Sequence, residues 1–145
     1  MADRIALVTE LALETFRLNG ALLAAGDRLV ADIGLTSARW QVLGAIELSP
    51  VPLPVAHIAR NMGLSRQAVQ RLANELAADG LVRFTANPHH ARAKLLGLTE
   101  KGTQAHAAAM KRQRPWAQRL AGNLTADEIA AAIDVIRTVR ERLEP

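Results

Sequence analysis

Residues 65–74, SRQAVQRLAN, concentrate side chains that recognise nucleobases. Arginine bonds guanine through two parallel N–H groups, and asparagine or glutamine does the same for adenine. At 100° per helical residue, with Val69 as zero, Leu72, Ala73 and Leu76 fall within about 60° and make a buried stripe. Gln67, Gln70, Arg71 and Asn74 then lie roughly 100–200° away on the opposite side, and Arg66 flanks the first turn. The first acid of this helix is Glu75, whereas a helix that is merely solvated more often carries Glu and Lys along its outer face. Further on, Arg92 and Lys94 alternate with Ala93 and Leu95, which on an extended strand puts both cations on one face. A β-ribbon beside a reading helix can touch phosphates or place arginine in the minor groove. The plain alternatives are a surface helix and a solvated hairpin with incidental charge.

No motif of catalysis or metal binding accompanies them. There is no glycine-rich phosphate loop, GxSxG or HExxH, and no carboxylate pair stands at a site. His57, His89, His90 and His106 include no HxxxH or HxxE helix pair, and adjacent residues on a strand point opposite ways, so His89 and His90 do not chelate one ion. The absence of cysteine excludes a disulfide framework, a zinc ribbon and thiol redox sensing. The expectation is no enzyme, no metal and no cofactor.

Charge supports a polyanion partner. The 145 residues hold 18 Lys+Arg and 14 Asp+Glu, a net +4. Residues 60–112 alone carry nine of the basic side chains and only Glu75, Asp79 and Glu100 against them. A basic middle between near-neutral ends fits a polyanion-binding face on an ordinary globule. No apolar run approaches the ~18 residues of a membrane span, and the start, MADRIALVTELALETF, mixes acids among its apolar residues as a secretory signal does not. A soluble, cytoplasmic protein with no membrane contact is expected.

The elements that must hold the reading helix are legible. Residues 4–31 read as one long helix of about 42 Å, stopped at Gly34. Thr36 caps a second helix, SARWQVLGAIEL, with Trp40, Val42, Leu43 and Ile46 on its buried stripe. SPVPLP (49–54) reads as a loop, with Pro54 entering the first turn of VAHIARNM. That helix ends at Gly63, and Ser65 caps the next, RQAVQRLANELAAD, which ends at Gly80; the pair has helix-turn-helix spacing. LVRFTA and ARAKLLG, joined through NPHH, read as a β-hairpin. A helix follows from Thr99 to about residue 121, kinked or split by Pro115. Thr125 to Glu128 is a capping-box signature, and the last helix, to Leu143, has Ile129, Ala132, Ile133, Ile136 and Val139 on one side. The long first helix and the last two would each leave an apolar face bare in a monomer. With no repeat or linker, the chain is one continuous domain: residues 35–99 the DNA-binding part, 1–34 and 100–145 the helical part.

LTSARWQVLGAI, HIARNMGLSRQAVQRLANELAADGLVRF and NPHHARAKLLGLTEKG, with the long flanking helices, resemble the MarR family of bacterial winged helix-turn-helix regulators over residues 4–143. The resemblance implies a mainly α fold with long N- and C-terminal dimerisation helices and a small β-hairpin wing. It implies an obligate homodimer on a pseudo-palindromic operator in double-stranded DNA. Many members are repressors that a small, often aromatic or anionic effector releases. By position it puts Ser65, Arg66, Gln67 and Gln70 at the major groove, Arg71 at phosphate, and Ser37 and Arg39 on the backbone. The effector cleft falls near the second helix, where Trp40 stands. The wing departs from the family's Asp-Pro-x-Asp-Arg-Arg: here it is Asn87-Pro88-His89-His90-Ala91-Arg92, and weaker wing contact is expected. A reading of another class keeps the fold and uses the basic face for an acidic protein partner.

Overall fold

A computed structural model describes residues 1–145, which form two compact units, 1–112 and 113–145. The elements in chain order are α1 (Arg4–Val30), a 3-10 turn (Ala31–Ile33), α2 (Ser37–Glu47), β1 (Leu53–Pro54), α3 (Val55–Met62), α4 (Arg66–Ala78), β2 (Val82–Thr85), β3 (Leu95–Leu98), α5 (Glu100–Ala121) and α6 (Ala126–Leu143). No helix is long and apolar enough to cross a membrane.

The first helix stops one residue earlier than its apolar spacing suggests, because the 3-10 turn tightens its end and Gly34, at φ 76°, takes the left-handed conformation that closes it. Thr36 then caps α2 by accepting a hydrogen bond from the Arg39 N–H at 3.2 Å. The core of the first unit gathers Val30, Val42, Leu43, Ile58, Leu76 and Leu96, all essentially inaccessible; each such side chain contributes about 1.5–3 kcal/mol by leaving water.

Two expectations about the strands need correction. Residues 49–54 are not all loop: Leu53 and Pro54 form β1, which pairs antiparallel with β3 in a three-stranded sheet ordered β1-β3-β2. Pro54 is tolerated because an edge strand does not need its missing N–H, and it precedes α3 instead of entering it. The second wing strand is also shorter than 91–97 and begins only at Leu95. The tip is held in turns instead: Asn87 Oδ1 accepts from His89 N at 3.0 Å, Asn87 O from His90 N, and His90 O from Ala93 N. These bonds use backbone groups that a longer ladder would need. The strand alternation inferred for Arg92 and Lys94 therefore does not apply.

The second unit contains the end of α5 and all of α6. Helix α5 is not split at Pro115 but runs through it. Thr125 and Glu128 complete the capping box of α6 in both directions, at 3.2 and 2.8 Å. Along α6, Ile129, Ile133 and Ile136 are exposed, and no residue of the helix is buried.

Two joints within the first unit contribute to its stability. Gly102, at the start of α5, rests on the Leu81 backbone so closely that a Cβ would collide with the Leu81 carbonyl. Gly102→Ala is expected to cost about 1–3 kcal/mol, the usual range for overpacking, as a lower urea midpoint at unchanged slope. Arg112 donates to the Asp32 carboxylate and to the Leu29 carbonyl. The hydrogen bond from Arg112, partly opposed by desolvation, lowers the pKa of Asp32 and raises that of Arg112. An acid whose folded pKa is depressed stabilises the fold above its unfolded pKa of about 3.9 and ceases to do so as pH falls through the folded value. The melting-temperature gap between wild type and Arg112→Gln is thus expected to be full at neutral pH and to close below about pH 4.

Candidate nucleic-acid interface

Helix α3 ends at Gly63, whose φ of 67° and N–H bond to Arg60 O turn the chain within three residues. Ser65 accepts a hydrogen bond from Ala68 N at 3.1 Å and starts α4. Its hydroxyl accepts through one lone pair, so its proton is free to donate outward. Val69, Leu72, Ala73 and Leu76 are buried, as the angular reading requires, while Arg66, Gln67, Gln70, Arg71 and Asn74 are all exposed.

Between α4 and the wing lies a cleft of about 860 Å³. Ser65, Arg66, Gln67, Gln70 and Asn74 line one side, and Arg92, Ala93 and Lys94 the other. Pro54, Val55, Ala56 and Phe84 complete it with apolar surface. Seven of the residues singled out from sequence thus meet around one concavity. Three of its lining side chains are cations and none is an acid, so it attracts anions from both the α4 side and the wing side. Gln70 Nε2 donates to Asn74 Oδ1 at 2.9 Å, leaving the Gln70 carbonyl oxygen and the Asn74 amide protons for an outside partner.

Four residues fall outside the cleft. Arg71 is exposed on the flank of α4 and makes no ion pair. Ser37 is turned inward: it is 5% exposed, its hydroxyl donates to Leu23 O at 2.6 Å, and its N–H donates to Asp27 Oδ1. A serine at the start of a helix offers the same atoms to a neighbouring helix as to a phosphate, and here α1 takes them. Arg39 is likewise committed, donating to Asp79 Oδ2 at 2.9 Å and to Glu75 Oε2 at 3.4 Å. Trp40 is half-buried and packs on the core.

Pro54, Val55, Ala56 and Phe84 escaped the sequence reading. For Phe84 the signal is its alternation with Val82 and Arg83; nothing local marks the other three. His57, His89 and His90 are exposed, His106 is half-buried beside Gly44, and no group of three or more His, Asp or Glu is placed to hold a metal ion.

This is the architecture of a winged helix-turn-helix protein, and comparison with known proteins specifies it. The MarR family profile matches residues 33–93. A protein of Mycobacterium tuberculosis is 36% identical over 137 residues, covering 94% of this chain and 92% of its own. The PcaV transcriptional regulator of Streptomyces coelicolor, solved with its natural ligand, is 28% identical with a TM-score of 0.81 over 99% of both chains. The transcriptional regulator MosR of M. tuberculosis, solved with DNA, is 26% identical with a TM-score of 0.77 over 92% of this chain and 98% of its own. The chain belongs to the MarR family of transcription regulators.

Ser65 separates the fold's needs from the ligand's. Ser65→Ala is expected to lose about 1 kcal/mol of stability with the cap. Ser65→Asp keeps a good capping residue but puts a carboxylate into the cationic cleft; it should retain the wild-type urea midpoint and elute from heparin at distinctly lower salt.

Proposed function

We propose that the protein is a homodimer that binds an inverted-repeat operator in double-stranded DNA and represses transcription until a small aromatic or anionic molecule releases it. The observation that carries this reading is the acid-free cleft between α4 and the wing, where Arg66, Gln67, Gln70 and Asn74 meet Arg92 and Lys94. Base edges are read from α4 while the wing cations meet phosphate. Its site of action is the cytoplasm, where the DNA is.

The apolar surface of α1 supports the dimer. Ile5, Val8 and Phe16 lie on one exposed stripe, and Leu7, Leu18 and Leu22 on another about 120° round the helix. One helix packed alongside cannot cover both. A second copy related by a twofold would, and an obligate interface of more than about 2,000 Å² is then expected. The twofold sets the reading helices about one duplex turn, ~34 Å, apart. That PcaV was solved with its natural ligand supports an effector, which we place beside Trp40 on α2. A ligand that binds best to a spacing unsuited to consecutive grooves releases the DNA by shifting that equilibrium.

Selection of duplexes from a randomised pool, followed by footprinting and light scattering, tests the proposal. A dimer protecting two inverted half-sites about 10 base pairs apart is the expected result. Arg66→Ala should cost about 1–3 kcal/mol per half-site. Arg92→Ala should cost less, because this wing lacks the second acid and the first arginine of the family pattern. A monomer, or equal binding of selected and random duplexes at physiological salt, would overturn the operator reading and leave an acidic protein partner for the basic face.

A further inference from the structure

Arg39 of α2, Glu75 of α4 and Asp79, which caps the C-terminus of α4, form a charge cluster outside the cleft. Asp79 Oδ2 lies 2.9 Å and Glu75 Oε2 3.4 Å from the guanidinium, whose side chain is 23% exposed against 43% for Glu75 and 51% for Asp79. Glu75 stands four residues after Arg71, the spacing at which opposite charges on a helix meet. With Val69 as zero, Arg71 falls at about 200° and Glu75 at about 240° around α4. Glu75 is the only acid within one turn of Arg71, yet the two do not pair: Glu75 is held by Arg39, and Arg71 has no partner.

We infer that Arg39 is a positioning residue for DNA backbone contact: by holding Glu75 and Asp79 toward α2, it keeps the Arg71 guanidinium uncommitted and available to a phosphate. The inference rests on the operator-binding reading and deepens it. An arginine already neutralised by its own helix releases fewer counterions when it meets a phosphate, so the competition between Glu75 and phosphate for Arg71 sets both affinity and its salt dependence. Arg39 removes the competitor. Its contribution to binding therefore passes through Arg71, with no contact to DNA of its own.

The test measures the dependence of log affinity on log salt, using a duplex that the wild-type protein recovers from a randomised pool. Arg39→Gln is expected to flatten this slope by about one for each Arg71 that Glu75 captures, about two for a dimer, and Arg71→Gln should flatten it equally. Glu75→Gln added to Arg39→Gln should restore the wild-type slope even though the charge of Arg39 is still missing. Glu75→Gln alone should leave the slope unchanged. A slope that stays flat in the double variant would overturn the inference, because Arg39 would then touch phosphate itself or matter only for folding. So would an unchanged slope in Arg39→Gln. If Arg39→Gln does not fold, Glu75→Gln alone still decides: a steeper slope would show that Glu75 already neutralises Arg71. If the wild type recovers no duplex, the operator reading fails and takes this inference with it; a wild type that binds while the double variant stays flat rejects the Arg39 assignment only.

Discussion

Val69, Leu72, Ala73 and Leu76 bury one side of α4 against α2, α3 and β2, and that burial decides what the opposite side offers. Rotating the helix by a single residue, about 100°, would carry Gln70 into the core without a partner and expose Leu72. Four apolar contacts thus fix the direction of five polar side chains, none of which needs a bond of its own to face outward. The polar face of α4 is a by-product of the core, so its geometry is as stiff as the packing beneath it. The wing across the cleft depends on the same core through Phe84 and Leu96, on the inner face of the sheet.

Polar joints then tie neighbouring helices to this centre. Ser37 reaches back to the Leu23 carbonyl and the Asp27 carboxylate of α1, and Gly26 makes room for it, since a Cβ there would collide with the Ser37 hydroxyl. Thr99 performs a similar task at the other end of the winged region, donating its hydroxyl to Gly80 O at 2.6 Å and its N–H to Leu81 O. Both joints use a short hydroxyl side chain beside a glycine. They satisfy backbone groups that close packing would otherwise strand.

Periodicity in the sequence was sufficient for the helices because each has a strong start or stop: Thr36, Gly63, Ser65 and Thr125 all act at the positions their types suggest. The outward face of α4 followed from angle for Gln67, Gln70 and Asn74, which line the cleft, and Arg66 on the flank of the first turn joins them there. What escaped was whatever depends on a partner distant in sequence. Nothing local in LPVAHIA reveals that Leu53 and Pro54 find Leu96 and Leu95 some forty residues later. Similarly, Ser37 and Arg39 have the right chemistry for phosphate, but residues 23, 27, 75 and 79 claim them first. The wing differs for the opposite reason: a local preference, the Asn87 side chain accepting from the His89 N–H, outweighs an alternation that looks like strand.

The small sheet has two open margins, and their composition bears on behaviour at high concentration. A bare strand edge invites a strand from another molecule, and proteins that crowd together must prevent such addition. On one margin Pro54 lacks the N–H that a newcomer would bond, and Pro50 and Pro52 extend that defence along the approach. The other margin is four residues long and holds the exposed Arg83, whose charge repels its own copy. The molecule can therefore keep a wing projecting into solvent without that wing seeding aggregation.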